Sequence, residues 1–422
     1  MPTTRRPSGS KPEVIIIGGG ASGLAAACVL ADAGVPALVL EKEEKAGRKL
    51  LATGNGRCNL LNFGPPVYFG DAAFARQALS HCGAAEVAAF FAGLGLGLRE
   101  EEGGRAYPLP NQAAAVADSL LARLQESPSV KIRTGARVTD VRRAEGGFLV
   151  ETADGGRYSA PRLIAAPGGP AAPRLGGSGE LLGVLARLGH GLVPPRPALC
   201  PLETETAAIR GLSGLRAPAW LTLFIGGEPA CAAAGEALFT DYGVSGVCAM
   251  QLARDAGRGL QDGREVILSV DFSPLCGLAP PLMRRLSPSE LRAGPARREM
   301  LGLLEARFAR LGPGRAYTGL LPRALANKVR SLPLPEAAEW LSGLRLRVTG
   351  VKGFDQAQVA AGGLSCAGFD PETFQSRSVP GLYVTGEALN VDGDTGGFNL
   401  LFAWAGGILA GRHAAGEAER PS

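Results

Sequence analysis

The stretch Glu13 to Glu41, EVIIIGGGASGLAAACVLADAGVPALVLE, constrains the fold more than any other part of this chain. A short apolar run, Glu13 to Ile17, stops at Gly18, Gly19 and Gly20, with Ala21, Ser22 and Gly23 following. The glycines therefore fall where a buried strand gives way to a helix, the context in which a glycine-rich turn holds a dinucleotide. Gly18 suits a tight turn, Gly20 lets backbone approach a pyrophosphate, and Gly23 lets the helix lie close against the strand. The free N–H groups of Ala21 and Ser22 sit at the positive end of the helix dipole, facing the phosphates. Glu41 ends a second strand, where a carboxylate accepts hydrogen bonds from the ribose hydroxyls of adenosine and repels a 2′-phosphate.

A chain of 422 residues exceeds what one core usually serves, so two or three units are expected. Its 46% hydrophobic and 20% charged residues exclude disorder on that scale. The net charge of +5 is spread without any run of Lys or Arg longer than a pair, which leaves no footprint for nucleic acid. The opening MPTTRRPSGS has no apolar core and no long apolar run follows, so a cytoplasmic protein with no membrane partner is expected. Eight scattered cysteines without a CxxC are expected to be reduced, packed thiols. His81, His190 and His413 lie far apart, and no metal site is expected.

Beyond Glu41 the chain runs through a loop to Asn62 that is dense in polar groups, among them Arg48, Lys49, Thr53, Asn55, Arg57, Asn59 and Asn62. Its position after the ribose-binding acid brings two cations, Arg48 and Lys49, toward the diphosphate. Asp71 to Gly93 and Gln112 to Glu126 have helical periodicity, with a loop, EEGGRAYPLP, between them that exposes Arg105 and Tyr107. From Val130 the period becomes two, through KIRTGARVTDVRR and FLVETADGGRYSA, which predicts an antiparallel meander. Leu163 to Ala166 is a short buried run that returns to the main sheet and ends in Pro167, Gly168 and Gly169.

Four prolines in VPPRPALCPLE force extended backbone and mark a crossing into another domain. That domain holds short strands at Leu221 to Ile225 and Val266 to Phe272, a GVSG turn at Ser245, and an Arg-rich helical run from Ser287 to Leu311. The last segment is again strand, glycine loop and helix: Leu382 to Thr385, then Gly386 and Glu387, an acidic loop, and an apolar helix from about Gly397. Carboxylates before a helix suit hydroxyls, so Glu387, Asp392 and Asp394 are candidates for the ribityl chain of a flavin. The helix start at Gly396, Gly397, Phe398 and Asn399 would meet a pyrimidine carbonyl and favour negative charge on the reduced ring.

The motifs IIIGGGASGLAAA, GRKLLATGNGRCNLLN, GEALFTDYGVSG, VKGFDQAQVAAGG and GLYVTGEALNVDGDTGGFNLLFAWAGGILAG make the chain resemble the BaiN/RdsA-type NAD(P)/FAD-dependent oxidoreductases, also called YhiN-like flavoproteins. The resemblance spans nearly the whole chain. It implies an α/β fold: a two-part Rossmann-like FAD-binding domain, parallel sheet plus antiparallel β-meander, over residues 11–193 and 352–418, with an inserted mixed β/α substrate or cap domain over 194–351. It further implies pyrophosphate contacts at Gly18, Gly20, Ala21, Ser22 and Gly23, the ribose on Glu41, and Lys42, Gly47, Arg48 and Lys49 beside them. Val138 would reach the adenine through its backbone, and Gly386, Glu387, Asp392, Asp394, Thr395, Gly396, Gly397, Phe398 and Asn399 would line the ribityl chain and the flavin ring. The chain departs from the family pattern at Pro167 to Ala171, where relatives usually carry Thr-Gly-Gly, and at Asp241, where histidine is common.

The expected activity is FAD-dependent: NAD(P)H as a transient donor reduces the flavin, which passes hydride to a small molecule with an activated C=C or a quinone-like group. No second strand-GxGxxG-helix unit exists for the nicotinamide, and no acid–base pair is identifiable by spacing. Tyr242, Ser245 and Arg57 are candidates for lining a substrate chamber. The alternatives are an FAD-dependent RNA-modifying enzyme and a flavin-binding sensor or partner protein without turnover.

Overall fold

The protein is described here by a computed structural model, which covers residues 11–278, 285–286 and 295–416. The amino-terminal tail and residues 287–294 of the Arg-rich run lie outside the described residues. The chain divides into two compact units, Met1–Pro195 with Val359–Ser422, and Arg196–Gln358.

The first unit is built on β1 (Val14–Ile17), whose four apolar residues are all buried. A strand apolar on both faces belongs in the middle of a parallel sheet. Its neighbours are β2 (Ala37–Leu40) and, on the other side, a strand at Arg162–Ala165; both run parallel, with Ile17 opposite Leu40 and Ala165. With β3 (Val130–Arg133), β4 (Arg162–Ala165) and β5 (Leu382–Val384), the sheet has the order β5-β4-β1-β2-β3. The expected return of Leu163 to the main sheet is thus β4.

Helix α1 (Ala21–Asp32) is buried from Ser22 to Ala31. Against it lies α2 (Phe398–Ala414), buried along most of its length. The contact depends on missing side chains: a Cβ on Gly407 would lie 2.2 Å from the Ser22 carbonyl oxygen, and one on Gly411 3.1 Å from that of Ala26. Two helices approach this closely only where one of them carries glycine.

Several local expectations need correction. Val130–Arg133 is the edge strand of the parallel sheet and not part of the meander, which comprises Val138–Ala144, Gly147–Thr152 and Arg157–Ala160. An edge strand with one face exposed alternates just as a meander strand does. The helix from Asp71 to Gly93 is two helices, Ala72–His81 and Ala84–Gly93. The break is a capping box: the Glu86 carboxylate accepts from the backbone N–H of Gly83 at 2.9 Å and starts a new helix there. EEGGRAYPLP is no loop but most of a hairpin, Leu98–Glu101 with Arg105–Pro108, turning at Gly103 and Gly104 (φ 77° and 74°). Leu61–Asn62 pairs with its second strand. The polar loop after Glu41 contains a helical turn, Arg48–Leu51, and a 3-10 turn, Thr53–Gly56.

The second unit is an antiparallel sheet flanked by helices. Arg216–Ile225 pairs with Val266–Asp271, placing Leu221 opposite Val270. A long strand, Glu228–Phe239, pairs with Arg216–Ile225 on its other side. It was not anticipated, because EPACAAAGEALF is rich in alanine and glycine, residues poor in strand propensity. The Arg-rich run forms a helix over Pro295–Leu311. Residues 352–358 belong here, with Lys352 N–H donating to Pro201 O at 3.0 Å and Gln358 N–H to Leu199 O at 3.2 Å. Among the described residues no helix is long and apolar enough to cross a membrane.

Candidate functional site

The carboxyl ends of β1, β2, β4 and β5 gather the residues that the sequence singles out, as expected for ligand sites in open α/β sheets. The chain leaves β1 into Gly18, at φ 97°, where a Cβ would stand 2.3 Å from the Ala166 carbonyl oxygen. A Cβ on Gly23 would stand 1.9 Å from the Gly18 carbonyl oxygen. These two glycines are demanded by packing. Gly20 is not, since a Cβ there would meet nothing within 4 Å. The loop is closed on the side of the sheet and open at Gly20, ahead of the N–H groups of Ala21 and Ser22.

Glu41 follows β2 and is buried. Its Oε2 accepts from Gly19 N–H at 2.6 Å and its Oε1 from Glu43 N–H at 2.8 Å. The carboxylate therefore braces the glycine loop, and with about four lone-pair sites it retains capacity for hydroxyls. Lys42 is half-buried beside it, and Gly47, at φ 79°, donates to the Gly19 carbonyl at 2.8 Å. The segment leading to Val138 also reaches this corner: Ala136 N–H donates to Glu41 O at 2.8 Å, and Val138 itself is buried.

The two loop cations expected to face a diphosphate both have carboxylate partners. Arg48 pairs with Glu43, and Lys49 Nζ lies 2.8 Å from Glu387 Oε2. Glu387, expected among ribityl hydroxyls, fastens three segments together: besides Lys49 it accepts from Gly169 N–H at 3.3 Å and from Ala360 N–H at 2.8 Å. No local pattern announces an ion pair between residues so distant in sequence.

The second half of the site begins where β5 ends. Thr385 N–H donates to Ala165 O at 3.0 Å, and Gly386, at φ 69°, lies against Ser22 of α1. Asp392 and Asp394 are both buried; Asp392 sits in a short strand opposite Phe69, and Asp394 Oδ1 accepts from Thr395 N–H at 2.7 Å. The Asn399 side chain closes this loop on itself, accepting from Gly393 N–H and donating to Gly393 O, each at 2.8 Å. Gly396 and Gly397 have φ of 106° and 102°, and Gly397 is the N-cap of α2 with no side-chain cap on the free N–H groups. Phe398 is buried, its carbonyl accepting from Tyr68 Oη at 2.8 Å.

The start of α2 is held by residues the sequence put at the other end of the ligand. Asn62 Nδ2 donates to Gly396 O at 2.7 Å, and Trp404 Nε1 to Leu60 O at 3.0 Å. A Cβ on Gly397 would lie 2.6 Å from Leu61 O and 2.9 Å from Asn59 Oδ1. The only sequence signal for this was the density of asparagines in GNGRCNLLN. Three buried polar atoms in these segments, Ser22 Oγ, Thr385 Oγ1 and Asn59 Oδ1, have no hydrogen-bond partner among the described residues. Buried polar atoms are normally paired, and a dinucleotide with its bound waters would supply donors and acceptors here. The open backbone at Gly20, the two uncapped helix starts and the carboxylate at Glu41 fit such a group.

Arg57, one of the chamber candidates, is in the first unit. Its guanidinium lies 4.2 Å above the Tyr107 ring, with Nε 2.6 Å from Asn111 Oδ1 and Nη2 2.5 Å from Glu101 Oε1. Tyr107 is itself buried. Next to Arg57, burial pushes the Cys58 thiol up to about 11, so it is no nucleophile at neutral pH. All eight cysteines are free. Tyr242 and Ser245 are in the second unit, where Lys352 Nζ stands 4.0 Å from the Tyr242 ring centroid and 2.7 Å from Glu203 Oε1. The Glu203 carboxylate raises the Lys352 pKa. Among the described residues no group of three or more His, Cys, Asp or Glu is arranged to hold a metal ion.

Residues 12–413 match the family described as HI0933-like protein Rossmann domain. The chain is 37% identical to a 3-dehydro-bile acid delta(4,6)-reductase of Clostridium scindens, over 96% of this chain and 99% of that one. It is 25% identical to a ribosomal RNA dihydrouridine synthase of Escherichia coli, over 93% and 95%. Among solved structures, 3-ketosteroid delta1-dehydrogenase from Sterolibacterium denitrificans superposes with a TM-score of 0.53 at 14% identity, covering 97% of this chain and all of that one, a likeness of fold.

Proposed function

The chain belongs to the HI0933-like family, and from that premise we propose that it is an FAD-dependent oxidoreductase that uses NAD(P)H to reduce a small molecule carrying an activated C=C or a quinone-like group. The observation that carries this reading is the glycine loop: Gly18 and Gly23 are required by packing, whereas Gly20 opens onto free space in front of a helix start, with Glu41 bracing the loop behind it. Held there, FAD would supply the redox chemistry, hydride transfer between a nicotinamide and an acceptor.

The chain's own part is to bind and orient. The N–H groups at the start of α1 neutralise the pyrophosphate, and Glu41 takes the ribose hydroxyls. The uncapped start of α2, with the left-handed Gly396 and Gly397, presents N–H groups to a pyrimidine edge and favours negative charge there. The Glu387 latch keeps Lys49, the Gly169 turn and Ala360 together at the sheet's carboxyl end. That the C. scindens relative is a delta(4,6)-reductase supports a carbon–carbon double bond as the acceptor.

The test is an absorbance spectrum of the purified protein, followed by anaerobic addition of NADH and then NADPH. Flavin bands that bleach support the reading; bands that persist remove NAD(P)H from it; no bands after reconstitution with FAD sink it.

One observation favours the RNA-modifying alternative. The charge is not evenly spread once the units are known: residues 196–358 carry 20 Lys and Arg against 15 Asp and Glu, while the rest carries 24 of each. The whole excess lies in the second unit. A salt-dependent mobility shift with structured RNA, as expected for phosphate contacts, would support that reading, and no shift at low salt would remove it.

A further inference from the structure

Arg105 sits in a hairpin that also flanks the start of α2. It is the first residue of the strand Arg105–Pro108 and pairs in register with Asn62, the residue whose side chain holds the Gly396 carbonyl. A Cβ on Gly396 would lie 3.7 and 3.9 Å from Cγ and Cδ of Arg105, so the aliphatic stem of the arginine runs alongside the glycine that precedes the N-cap of α2. Nε is occupied, donating to Glu102 O at 2.9 Å. Its two terminal nitrogens have no partner among the described residues.

The Glu101 carboxylate is shared between Arg57 and Arg99, and Asp394, buried before Gly396, accepts from Thr395 N–H. The arginine's stem thus runs past the positive end of a seventeen-residue helix, and its charge adds to the helix field there. Asn59 Oδ1, buried and unpartnered beside Gly397, marks that place as one where a hydrogen-bonding group is missing.

We infer that Arg105 tunes the flavin: its charge, beside the start of α2, stabilises the reduced ring as an anion and so raises the reduction potential. This rests on the FAD reading above. Two electrons and one proton then convert the oxidised ring to the reduced anion, whereas without the cation a second proton accompanies the electrons. Arg105 acts through space on the ring and transfers nothing itself.

The test uses full-length protein loaded with FAD, wild type, Arg105→Gln and Arg105→Lys, equilibrated anaerobically with a reference dye at several pH values. Arg105→Gln should lower the ratio of reduced to oxidised flavin at fixed poise about tenfold, which is about 30 mV for a two-electron couple. Its potential should also fall more steeply with pH than that of wild type, as a second proton is taken up. Arg105→Lys should restore most of both. An unchanged potential and pH slope in Arg105→Gln overturns the inference while leaving the FAD reading intact. Loss of flavin from Arg105→Gln at every loading concentration overturns it too, by assigning the residue to binding alone. Failure of the wild type to take up FAD removes the reading beneath it.

Discussion

The two strand–glycine–helix elements of the first unit look alike on paper and are built differently. At the start of α1, Gly23 answers to the turn's own backbone and only Gly18 reaches further, to the end of β4. At the start of α2, Gly396 and Gly397 answer to Leu61, Asn62 and Asn59, more than three hundred residues earlier, and to Arg105. The first is mostly a local device, the second an assembled one. A local device can be recognised from its own residues, and an assembled one cannot.

Substitutions sharpen this contrast. The largest effect is expected for Gly23→Ala, whose Cβ would overlap the Gly18 carbonyl oxygen; a loss on the order of 4 kcal/mol should show as a collapse of soluble yield and of the thermal midpoint. Gly397→Ala adds a left-handed residue and a clash with Leu61 O, and should cost about 3 kcal/mol in denaturant unfolding. If it were silent, the start of α2 would not be held by the distant loop at all. Glu387→Ala strips acceptors from two backbone N–H groups and from Lys49 and should cost about 2 kcal/mol by the same measurement. Lys49→Met, at a third-exposed ion pair, should cost less than about 1 kcal/mol. Gly20→Ala has the smallest effect on the fold, about 0.5 kcal/mol, because nothing occupies the space of its Cβ. FAD titration should nonetheless show affinity at least tenfold weaker, about 1.4 kcal/mol, and a variant that binds FAD as well as wild type would remove the loop from the cofactor site.

What was legible in the sequence follows the same line. Strand β1, the glycine turn, helix α1 and Glu41 were readable because period, glycine spacing and chain order are all written within one short stretch, even though the packing that demands Gly18 comes from the distant end of β4. The strand Glu228–Phe239 was hidden by its alanines, and the hairpin at Arg105 by charged residues that resemble a solvated loop. The partner of Lys49 was beyond reach, because an ion pair leaves no trace in spacing when its members come from elements as far apart as residues 49 and 387. The asparagines of GNGRCNLLN stand out in the sequence, but only the fold shows that Asn62 holds the start of α2.

The glycine contact between α1 and α2 also sets an order of events. Residue 22 meets residue 407 across a buried seam, and the second unit lies between them in the chain. On a ribosome the whole of residues 196–358 is synthesised while α1 still lacks the helix that covers it. The second unit can therefore mature first, and the nucleotide-binding half stays open until translation has passed α2, a late and non-local closure of the kind that makes folding slow and leaves a nascent chain dependent on protection.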